Sequence, residues 1–399
     1  MKEKVRLFRN DLEAAFAQRP NRFLIIAESG GKELQCHCPN PGRLTECLFP
    51  GVPLILEKRA IQKAGGSLAK TAWTAAAIRY NDTIMPLYAS RANLAAEKLI
   101  LKKTIPGLQE IHPEFSLGGS RFDFLCIDRQ GQRHLVEVKA CSLVEHRVAM
   151  FPDAPSGRAL KHLEELARLN EEGYFCHVLF VITQGSPKIF IPNLHTDPQF
   201  AAALSQYCLP AEKGTEAPVQ AHAALIRCDE DGMAELVSPS TIPMDLSYGK
   251  LAASDSGSYL IVLELAQKAE AEIGSLGRIS FEKGWYVYAG SAMKNLSSRI
   301  SRHLRKTHKK KHWHLDYLTP HAQSIKGFPV ISFRNLECDL AGDLIALGGK
   351  PIAGFGSSDC KAKGAGKKAC PSHLVFFPSP PLLNHGFTDI IFKYRSFVS

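Results

Sequence analysis

Residues 134–141 read HLVEVKAC, and their alternation of polar and apolar side chains is typical of a half-buried β-strand. The upstream stretch 121–127 (RFDFLCI) alternates in the same way, and 128–132 (DRQGQ) has the composition of a turn. The two stretches therefore predict a β-hairpin.

Three charged side chains of this hairpin are expected on one face. Glu137 and Lys139 are two residues apart on one strand, and Asp123 on the partner strand can sit beside Glu137. Mg²⁺ prefers carboxylate oxygens, and a nearby ammonium group can stabilise a hydroxide nucleophile or the charge that develops on a phosphate. The pattern favours metal-dependent phosphodiester chemistry; the alternative is a solvated hairpin face.

The 399-residue chain has the composition of a globular protein of two or three domains, with 45% hydrophobic and 22% charged residues. No apolar run approaches the ~18 residues of a membrane helix. Residues 1–19 are charged and lack the apolar core of a signal peptide, so we expect a cytoplasmic protein without membrane contact. The eleven irregularly spaced cysteines indicate reduced thiols or metal ligands rather than a disulfide framework.

The net charge of +10 is segregated along the chain. Residues 255–399 hold 20 Lys/Arg against 11 Asp/Glu, whereas 1–254 are nearly balanced. The stretch 294–311 alone carries eight Lys/Arg and no acid. Such segregation favours binding of a polyanion, above all nucleic acid; the alternative is a merely soluble basic domain.

Composition divides the chain into four stretches. Short β-like runs with Gly and Pro in residues 1–90 favour a small barrel or sandwich, and 91–237 mix helical patterns with strand pairs. Residues 238–256 combine Ser, Pro and Asp without periodicity and are predicted to be a linker. A strand-like run then opens the basic region 257–399.

Four separated motifs resemble the sugar fermentation stimulation protein A (SfsA) family over about residues 1–235: 36–45 (CHCPNPGRLT), 114–124 (EFSLGGSRFDF), 136–140 (VEVKA) and 151–166 (FPDAPSGRALKHLEEL). The resemblance implies a multidomain α+β protein, with an N-terminal OB-like nucleic-acid-binding β-barrel followed by a restriction-endonuclease-like α/β domain of the PD-(D/E)xK type. In that site Glu114, Asp123 and Glu137 would bind Mg²⁺ or Mn²⁺, and Lys139 would be the catalytic lysine. The sequence departs from the family at Pro41 and Ala159, which stand where Thr and often Gly are usual.

Two further residue pairs are candidates for binding phosphate, one beside the hairpin and one in the barrel-like region. Residues 157–170 have a helical pattern that places Arg158 and His162 on one face. Asn40 and Arg43 lie in a stretch suited to a tight loop with a phosphate-binding arginine. The alternatives are an ordinary exposed helix face for the first pair and a structural turn for the second.

A basic helix is predicted at 295–304 (NLSSRISRHL), after strand-like runs at 257–265 (GSYLIVLEL) and 285–290 (WYVYAG). Basic side chains neutralise phosphates, and aromatic rings among them can stack on bases. The basic residues of this region that we expect to bind nucleic acid are Arg302, His303, Arg305, Lys309, Lys310 and Lys311.

The same region resembles the GIY-YIG endonuclease superfamily, and within it the Uri-type DUF123 branch, over about 257–377. The motifs are the strand-like runs above, the NLSSR segment, 312–318 (HWHLDYL) and 354–360 (GFGSSDC). The resemblance implies a small α/β domain in which Tyr259 and Tyr288 are the paired tyrosines, Arg299 stabilises the scissile phosphate and Glu337 binds a metal. Ser258 and Ala289 replace the signature isoleucines, so the alternative is a retained fold used only for binding.

A looser set of metal-ligand types follows. Cys338, Cys360, Cys370 and His373 suit zinc, but the nine residues between Cys360 and Cys370 match no standard finger spacing. The stretch 361–368 (KAKGAGKK) between them is predicted to be a mobile basic loop. Ordinary buried or exposed thiols are the alternative.

These patterns together predict a DNA-binding protein with Mg²⁺- or Mn²⁺-dependent phosphodiester cleavage at one or both sites. A non-catalytic DNA-binding regulator of sugar-utilisation genes is the main alternative, and the family name is what suggests it. An RNA-processing nuclease is the third, because OB-like barrels accept either type of single strand. The four residues Glu114, Asp123, Glu137 and Lys139 favour cleavage, since clustered acids repel phosphate unless they hold a metal.

Overall fold

A computed structural model describes residues 3–59, 71–80, 82–212, 214–237, 241–307, 310–357, 360 and 370–396. The chain forms two compact units, Met1–Lys250 and Leu251–Ser399. In the described residues no helix is both long and apolar enough to cross a membrane.

The first unit begins with a closed five-stranded barrel. Its strands run in the order β4-β3-β2-β5-β6, and a parallel pairing of β4 with β6 closes it. Phe16, Ile25, Leu54 and Ile78 are among the side chains that fill the interior. The strands of this region are β1 (Lys4–Arg6), β2 (Leu12–Asn21), β3 (Leu24–Ser29), β4 (Lys32–His37), β5 (Pro53–Lys58), β6 (Trp73–Tyr80) and β7 (Thr83–Pro86).

The rest of the first unit is a mixed sheet covered by helices. A helical segment comprises α1 (Ala92–Ala95), a π-helical turn (Ala96–Ile100) and α2 (Leu101–Thr104). The strands are β8 (Leu108–Leu117), β9 (Ser120–Asp128), β10 (Arg133–Cys141), β11 (Val144–Glu145), β12 (Val148–Phe151), β13 (Phe175–Ile182), β14 (Ile189–Pro192), β15 (Val219–Cys228) and β16 (Met233–Leu236). The longer helices are α3 (Gly157–Glu171) and α4 (Pro198–Cys208).

Strand β10 lies inside this sheet and positions the candidate site. It pairs antiparallel with β9, as the hairpin pattern predicts, and in parallel with β13 on its other side. Leu135 faces the core beneath α3 and α4, while Val136 and Val138 face the core under the helical segment that starts at α1. Because side chains alternate along a strand, Glu137 and Lys139 point toward α3.

Helix α3 matches the helix that the sequence predicts. The Ser156 side chain accepts a hydrogen bond from the backbone N–H of Ala159 and caps its first turn. Leu163 and Leu166 are buried and Leu160 is partly buried against the same core. The amphipathic pattern therefore fixes which face of α3 meets the sheet.

Part of the predicted linker 238–256 is packed, whereas its residues 238–240 lie outside the described part of the chain. Leu246–Ser254 forms a 3₁₀ helix, and Ile242 and Leu246 are buried in the core of the first unit. The carbonyl of Leu246 also accepts a hydrogen bond from the Ser205 hydroxyl. Apolar residues spaced among the Ser and Pro residues are sufficient to dock this stretch, which composition alone does not reveal.

The second unit has a five-stranded sheet in the order β21-β17-β20-β23-β22, with helices packed against it. Its core includes Leu260, Val287, Leu340 and Ile391. The strands are β17 (Gly257–Leu265), β18 (Ala269–Glu272), β19 (Arg278–Phe281), β20 (Gly284–Ala292), β21 (Ser324–Ile331), β22 (Lys350–Pro351) and β23 (Leu374–Phe377). The helices are α5 (Leu296–Leu304), α6 (Leu315–Leu318), α7 (Glu337–Ala346) and α8 (His385–Arg395).

Candidate active site and nucleic-acid surface

Asp123 on β9 is held next to the strand that carries Glu137. One carboxylate oxygen, Oδ2, accepts a hydrogen bond from the backbone N–H of Val138 at 2.7 Å. The other, Oδ1, accepts one from the side-chain amide of Asn93 at 2.7 Å. Two donors from different elements therefore fix the orientation of this carboxylate.

Glu137 is a buried carboxylate, only 4% exposed. Its Oε1 accepts hydrogen bonds from Nζ of Lys139 and from Nδ1 of His162 on α3, each at 2.6 Å. Its Oε2 has no hydrogen-bond partner within the described part of the chain. A buried acceptor without a partner costs free energy, so this atom is suited to meet a cation or an ordered water.

The two carboxyl groups have opposite pKa shifts. Burial raises the pKa of Asp123, and the charge of Glu137 adds to that effect. Burial alone would also raise the pKa of Glu137, but the hydrogen bonds and charges of His162 and Lys139 outweigh it and hold that pKa below its usual value. Glu137 is therefore the ionised carboxylate around which the site is built.

Glu114 lies on β8 between Pro113 and Phe115, which pair with Phe124 and Phe122, and so it stands opposite Asp123. Its side chain is exposed and forms an ion pair with Arg121. In the described ranges, neither Asp123 nor Glu137 belongs to a group of three His, Cys, Asp or Glu side chains whose possible ligand atoms all lie within 4.8 Å of one another. The structure thus brings Asp123, Glu137 and Lys139 together and leaves Glu114 at the rim.

The loop that contains Asn40 and Arg43 is held from within the barrel. Oδ1 of Asn40 accepts the backbone N–H of Gly42, which makes a tight turn. The guanidinium of Arg19 donates to the carbonyls of Asn40, Gly42 and Arg43 at 2.7–2.9 Å. Asn40 is therefore buried in a structural turn, whereas Arg43 is exposed.

A bulkier residue at position 42 would not fit. A Cβ atom there would lie 1.8 Å from Oδ2 of Asp153. The loop therefore packs directly against the start of the segment that leads to α3.

The pair Arg158 and His162 is divided by the fold. Arg158 is exposed on the first turn of α3, whereas His162 is buried and faces Glu137. His162 thus contacts the carboxylate rather than presenting itself to a phosphate. Arg158 stays available at the surface.

In the second unit, Tyr259 on β17 and Tyr288 on β20 are buried beside each other, with ring centroids 6.4 Å apart. The Tyr259 hydroxyl lies 3.0 Å from Nε2 of His303. Burial raises the pKa of both tyrosines, so both hydroxyls stay protonated at neutral pH. Arg299 interacts electrostatically with Tyr259, and its guanidinium carbon lies 4.1 Å from the ring centroid of Trp313.

Ser258 and Ala289 occupy the positions where the GIY-YIG signature has isoleucines. Both are buried, as packing positions should be. The hydroxyl of Ser258 accepts the backbone N–H of Leu336 at 2.9 Å, just before α7 begins. The departure at Ser258 therefore has a local polar role.

Glu337 begins α7, and both of its oxygens have neighbours. Oε1 lies 2.6 Å from Nδ1 of His373, and Oε2 accepts a hydrogen bond from the Ser291 hydroxyl at 2.5 Å. Its neighbour Cys338 lies close to Cys360 and His373, and these three form the one group among the described residues whose ligand atoms all lie within 4.8 Å.

The basic residues after β20 divide into internal and surface groups. His303 is buried against Tyr259, and Nη2 of Arg302 pairs at 2.8 Å with the buried carboxylate of Asp316. These two residues therefore stabilise the domain interior. The exposed members are Arg305, Lys310 and Lys311; Lys309 and the predicted loop 361–368 lie outside the described residues.

Sequence patterns did not identify four residues that position the sites. Asn93 orients Asp123, Arg19 holds the Asn40 loop, Ser291 binds Glu337 and Trp313 stacks on Arg299. Each partner is distant in sequence or lies on another element, so local periodicity carries no signal for it. Only the HWH motif beside the basic run pointed toward Trp313.

A divalent cation suits the residues around Glu137. Hard cations take carboxylate oxygens, and the orphaned Oε2 beside the Asp123 carboxylate offers such an atom. Lys139 and His162 neutralise the opposite side of Glu137 without occupying that oxygen. Asp123 and Glu137 would hold the ion, whereas the exposed side chain of Glu114 is paired with Arg121.

Three family models match consecutive parts of the chain. A model of the SfsA N-terminal OB domain matches residues 17–85, and one of the sugar fermentation stimulation protein RE domain matches 90–222. A domain of unknown function, DUF123, matches 258–394. These matches confirm the predicted order of an OB-like barrel, a restriction-endonuclease-like domain and a small α/β domain.

Relatives and a solved structure match about half of the chain or slightly more. A sugar fermentation stimulation protein homolog from Methanothermobacter thermautotrophicus is 36% identical over 50% of this chain and 81% of its own length. A homolog from Pyrobaculum arsenaticum is 38% identical over 49% of this chain and 81% of its own length. The structure of Pyrococcus furiosus SfsA in complex with Ca²⁺ covers 60% of this chain and 99% of that one, at 26% identity and a TM-score of 0.50.

Proposed function

Because the chain belongs to the sugar fermentation stimulation protein (SfsA) family, we propose that it binds DNA and cleaves phosphodiester bonds with Mg²⁺ or Mn²⁺ at Asp123, Glu137 and Lys139. The observation that carries the proposal is the buried Oε2 of Glu137, which has no partner in the described residues. The Pyrococcus furiosus relative was solved with Ca²⁺, a hard cation with the same preference for oxygen ligands. We extend cation binding to this chain on those two grounds.

Each residue of the site would have a separate role in cleavage. Asp123 and Glu137 would hold the cation, which lowers the pKa of bound water and polarises the phosphate. The ammonium of Lys139, 2.6 Å from Glu137 Oε1, would stabilise charge developing on the phosphate. His162 would keep the Glu137 carboxylate in place from the opposite side.

Charge and fold support nucleic acid as the substrate. The barrel is of the OB type, a fold that binds oligonucleotides. Residues 255–399 carry nearly all of the net positive charge, and Arg305, Lys310 and Lys311 are exposed there. The eight buried, unpaired thiols of the first unit suit a reducing compartment, which is consistent with a cytoplasmic protein.

The second unit is proposed as a binding domain. Tyr259 and Tyr288 are buried and protonated, and the Glu337 oxygens already have neighbours. Arg299 lies near Tyr259, as the resemblance to GIY-YIG endonucleases implies for the phosphate-binding arginine and the paired tyrosines. Cleavage by the second unit is therefore a second candidate function. Its test is Arg299→Ala, which should remove cleavage only if this second site acts.

Purified full-length protein with single-stranded, duplex and branched DNA, and with single-stranded RNA, tests the proposal. Cleavage should require Mg²⁺ or Mn²⁺ and disappear in Glu137→Gln. Glu33→Gln is the matched control, because Glu33 is exposed on barrel strand β4. Binding without cleavage on every substrate would favour the regulator, and cleavage of RNA alone would favour the RNA-processing nuclease.

A further inference from the structure

Three potential soft-metal ligands converge at the start of α7. Sγ of Cys338 lies 3.3 Å from Sγ of Cys360 and 3.6 Å from Nε2 of His373. Sγ of Cys360 lies 3.1 Å from the same Nε2. Two thiols and an imidazole nitrogen thus form a triangle whose members come from distant parts of the chain.

The triangle has the size of one face of a zinc tetrahedron. Zn–S bonds of about 2.3 Å and Zn–N bonds of about 2.0–2.1 Å place the ligand atoms roughly 3.5–3.8 Å apart in tetrahedral geometry. The three observed separations are at or slightly below that range. Cysteine thiolates combined with a histidine nitrogen in a tetrahedral set are typical of structural zinc sites.

His373 has a carboxylate next to its second ring nitrogen, as an ion-pair contact and not an aligned hydrogen bond. Its Nε2 faces the two thiols while its Nδ1 lies 2.6 Å from Oε1 of Glu337. A carboxylate on the far nitrogen fixes the tautomer and the ring angle of zinc-bound histidines. Glu337 itself is fixed by the Ser291 hydroxyl on β20.

Cys370 is the candidate for a fourth ligand, although its Sγ does not lie within 4.8 Å of all three other ligand atoms. It precedes His373 by three positions, the i, i+3 spacing of zinc-binding turns. Its side chain interacts with Cys338 and lies 3.3 Å from the carbonyl of Ser372. The other eight cysteines are all buried in the first unit, away from any such group.

We propose that Cys338, Cys360, Cys370 and His373 bind one structural zinc ion, and that Glu337 orients His373 instead of binding a catalytic cation. The ion would join the start of α7, Cys360 and the residue that precedes β23. Oε1 of Glu337 lies next to His373 and its Oε2 accepts a hydrogen bond from Ser291, so both oxygens already contact protein groups. This inference does not depend on cleavage by the first unit.

Metal analysis of the purified full-length protein tests the site directly. Elemental analysis should find about one zinc per chain in the wild type and a strong loss in Cys360→Ala and His373→Ala. Cys228→Ala is the matched control, since Cys228 is a buried thiol of the first unit, and it should keep its zinc. Loss in Cys370→Ala separates a four-ligand site from a three-ligand one.

A measurement on the unaltered chain guards against variants that fail to fold. Titration of the wild type with a mercurial thiol reagent should release zinc in proportion to the thiols modified. Cobalt substitution should give the intense thiolate-to-metal absorption of a tetrahedral site. A metal-free wild type, or a disulfide between Cys338 and Cys360 found by mass spectrometry, would overturn the proposal.

The role of Glu337 has its own readout. Glu337→Ala should weaken zinc binding by about 10–100-fold in chelator competition, the usual effect of losing such an outer carboxylate. Glu337→Gln keeps an acceptor for the Nδ1 proton and should recover most of that affinity. Unchanged zinc affinity in Glu337→Ala would contradict the orienting role.

Discussion

Nδ1 of His162 lies 2.6 Å from Oε1 of Glu137, although 25 positions separate the two residues. The sequence placed His162 beside Arg158 as a phosphate-binding pair, because both fall on one face of α3. Packing of α3 on the sheet turns His162 inward instead. The histidine thereby helps to keep the buried Glu137 ionised and in one orientation.

Replacement of His162 should weaken cation binding without removing the ligands. His162→Phe is expected to lower Mn²⁺ affinity about 10–100-fold, as losing the partner of a ligating carboxylate does. His162→Gln keeps a donor and should recover part of the loss. Calorimetric titration measures both; His112→Gln, at an exposed histidine, should titrate like the wild type.

Lys139→Ala should lower cleavage roughly 10²–10³-fold, because a well-placed donor to the transition state is removed. DNA affinity should change little, since Lys139 is largely buried next to Glu137. Cleavage rates and fluorescence-anisotropy binding on one DNA substrate separate the two effects. Lys161→Ala, on the exposed face of α3, is the control. Equal loss in both variants would contradict a specific role.

The salt dependence of DNA binding should report the exposed lysines of the second unit. Lys310→Glu combined with Lys311→Glu should weaken binding to duplex DNA. It should also flatten the plot of log affinity against log salt by about 0.9 for each phosphate that the lysines no longer neutralise. Lys350→Glu removes the same type of charge from β22. If Lys350→Glu weakens DNA binding as much as the changes at Lys310 and Lys311 do, the net charge of the unit governs binding rather than a local surface.

Three histidines form a chain across the first unit and should make its stability depend on pH. His134 lies 3.0 Å from His177, which lies 3.2 Å from His222, between ring nitrogens. Burial is the main cause that lowers the pKa of His177 to about 3 and of His222 to about 4.

The direction of this pH dependence follows from the ordinary histidine pKa of 6.5. Below that pH the unfolded chain binds protons at His177 and His222 that the folded chain excludes. The contribution of these two residues to the free energy of unfolding is therefore fully present above pH 6.5 and decreases as the pH falls toward 4. Denaturant unfolding at pH 8 and pH 5 should show this decrease, and His177→Leu should reduce it. If His177→Leu loses as much stability between pH 8 and pH 5 as the wild type does, other titratable groups cause the loss.

Gly290→Ala should destabilise the second unit. A Cβ at this position on β20 would lie 2.5 Å from the ring of Tyr259, which covers the glycine. Overpacking of this kind costs about 1–3 kcal/mol. Gly342→Ala is the control, because Gly342 lies on α7 with nothing within 4 Å of a new Cβ, and it should be neutral or slightly stabilising. Thermal unfolding compares the two variants.

Local periodicity was sufficient for the elements that carry the candidate site. The alternation in 121–127 and 134–141 matches β9 and β10, and the pattern of 157–170 matches α3. Alternation also predicted that Glu137 and Lys139 share a face. These inferences succeed because the side-chain direction along a strand or helix depends only on residues a few positions apart.

The order of the domains could also be inferred from the sequence, since each motif is contained in one short segment and the family matches follow the same order. Composition was a weaker guide. It predicted a linker at 238–256, yet Ile242 and Leu246 are buried in the first unit. Whether an isolated apolar residue docks depends on a complementary surface elsewhere, which composition does not contain.

Only the tertiary structure decided which partner each functional side chain has. It paired Glu137 with His162, Tyr259 with His303, and Glu337 with His373, and it placed Glu114 on the surface beside Arg121. All but the last pair join residues far apart in the chain. Such contacts arise when helices and loops pack on a sheet, so local spacing identifies the residue types while three-dimensional packing determines what each of them does.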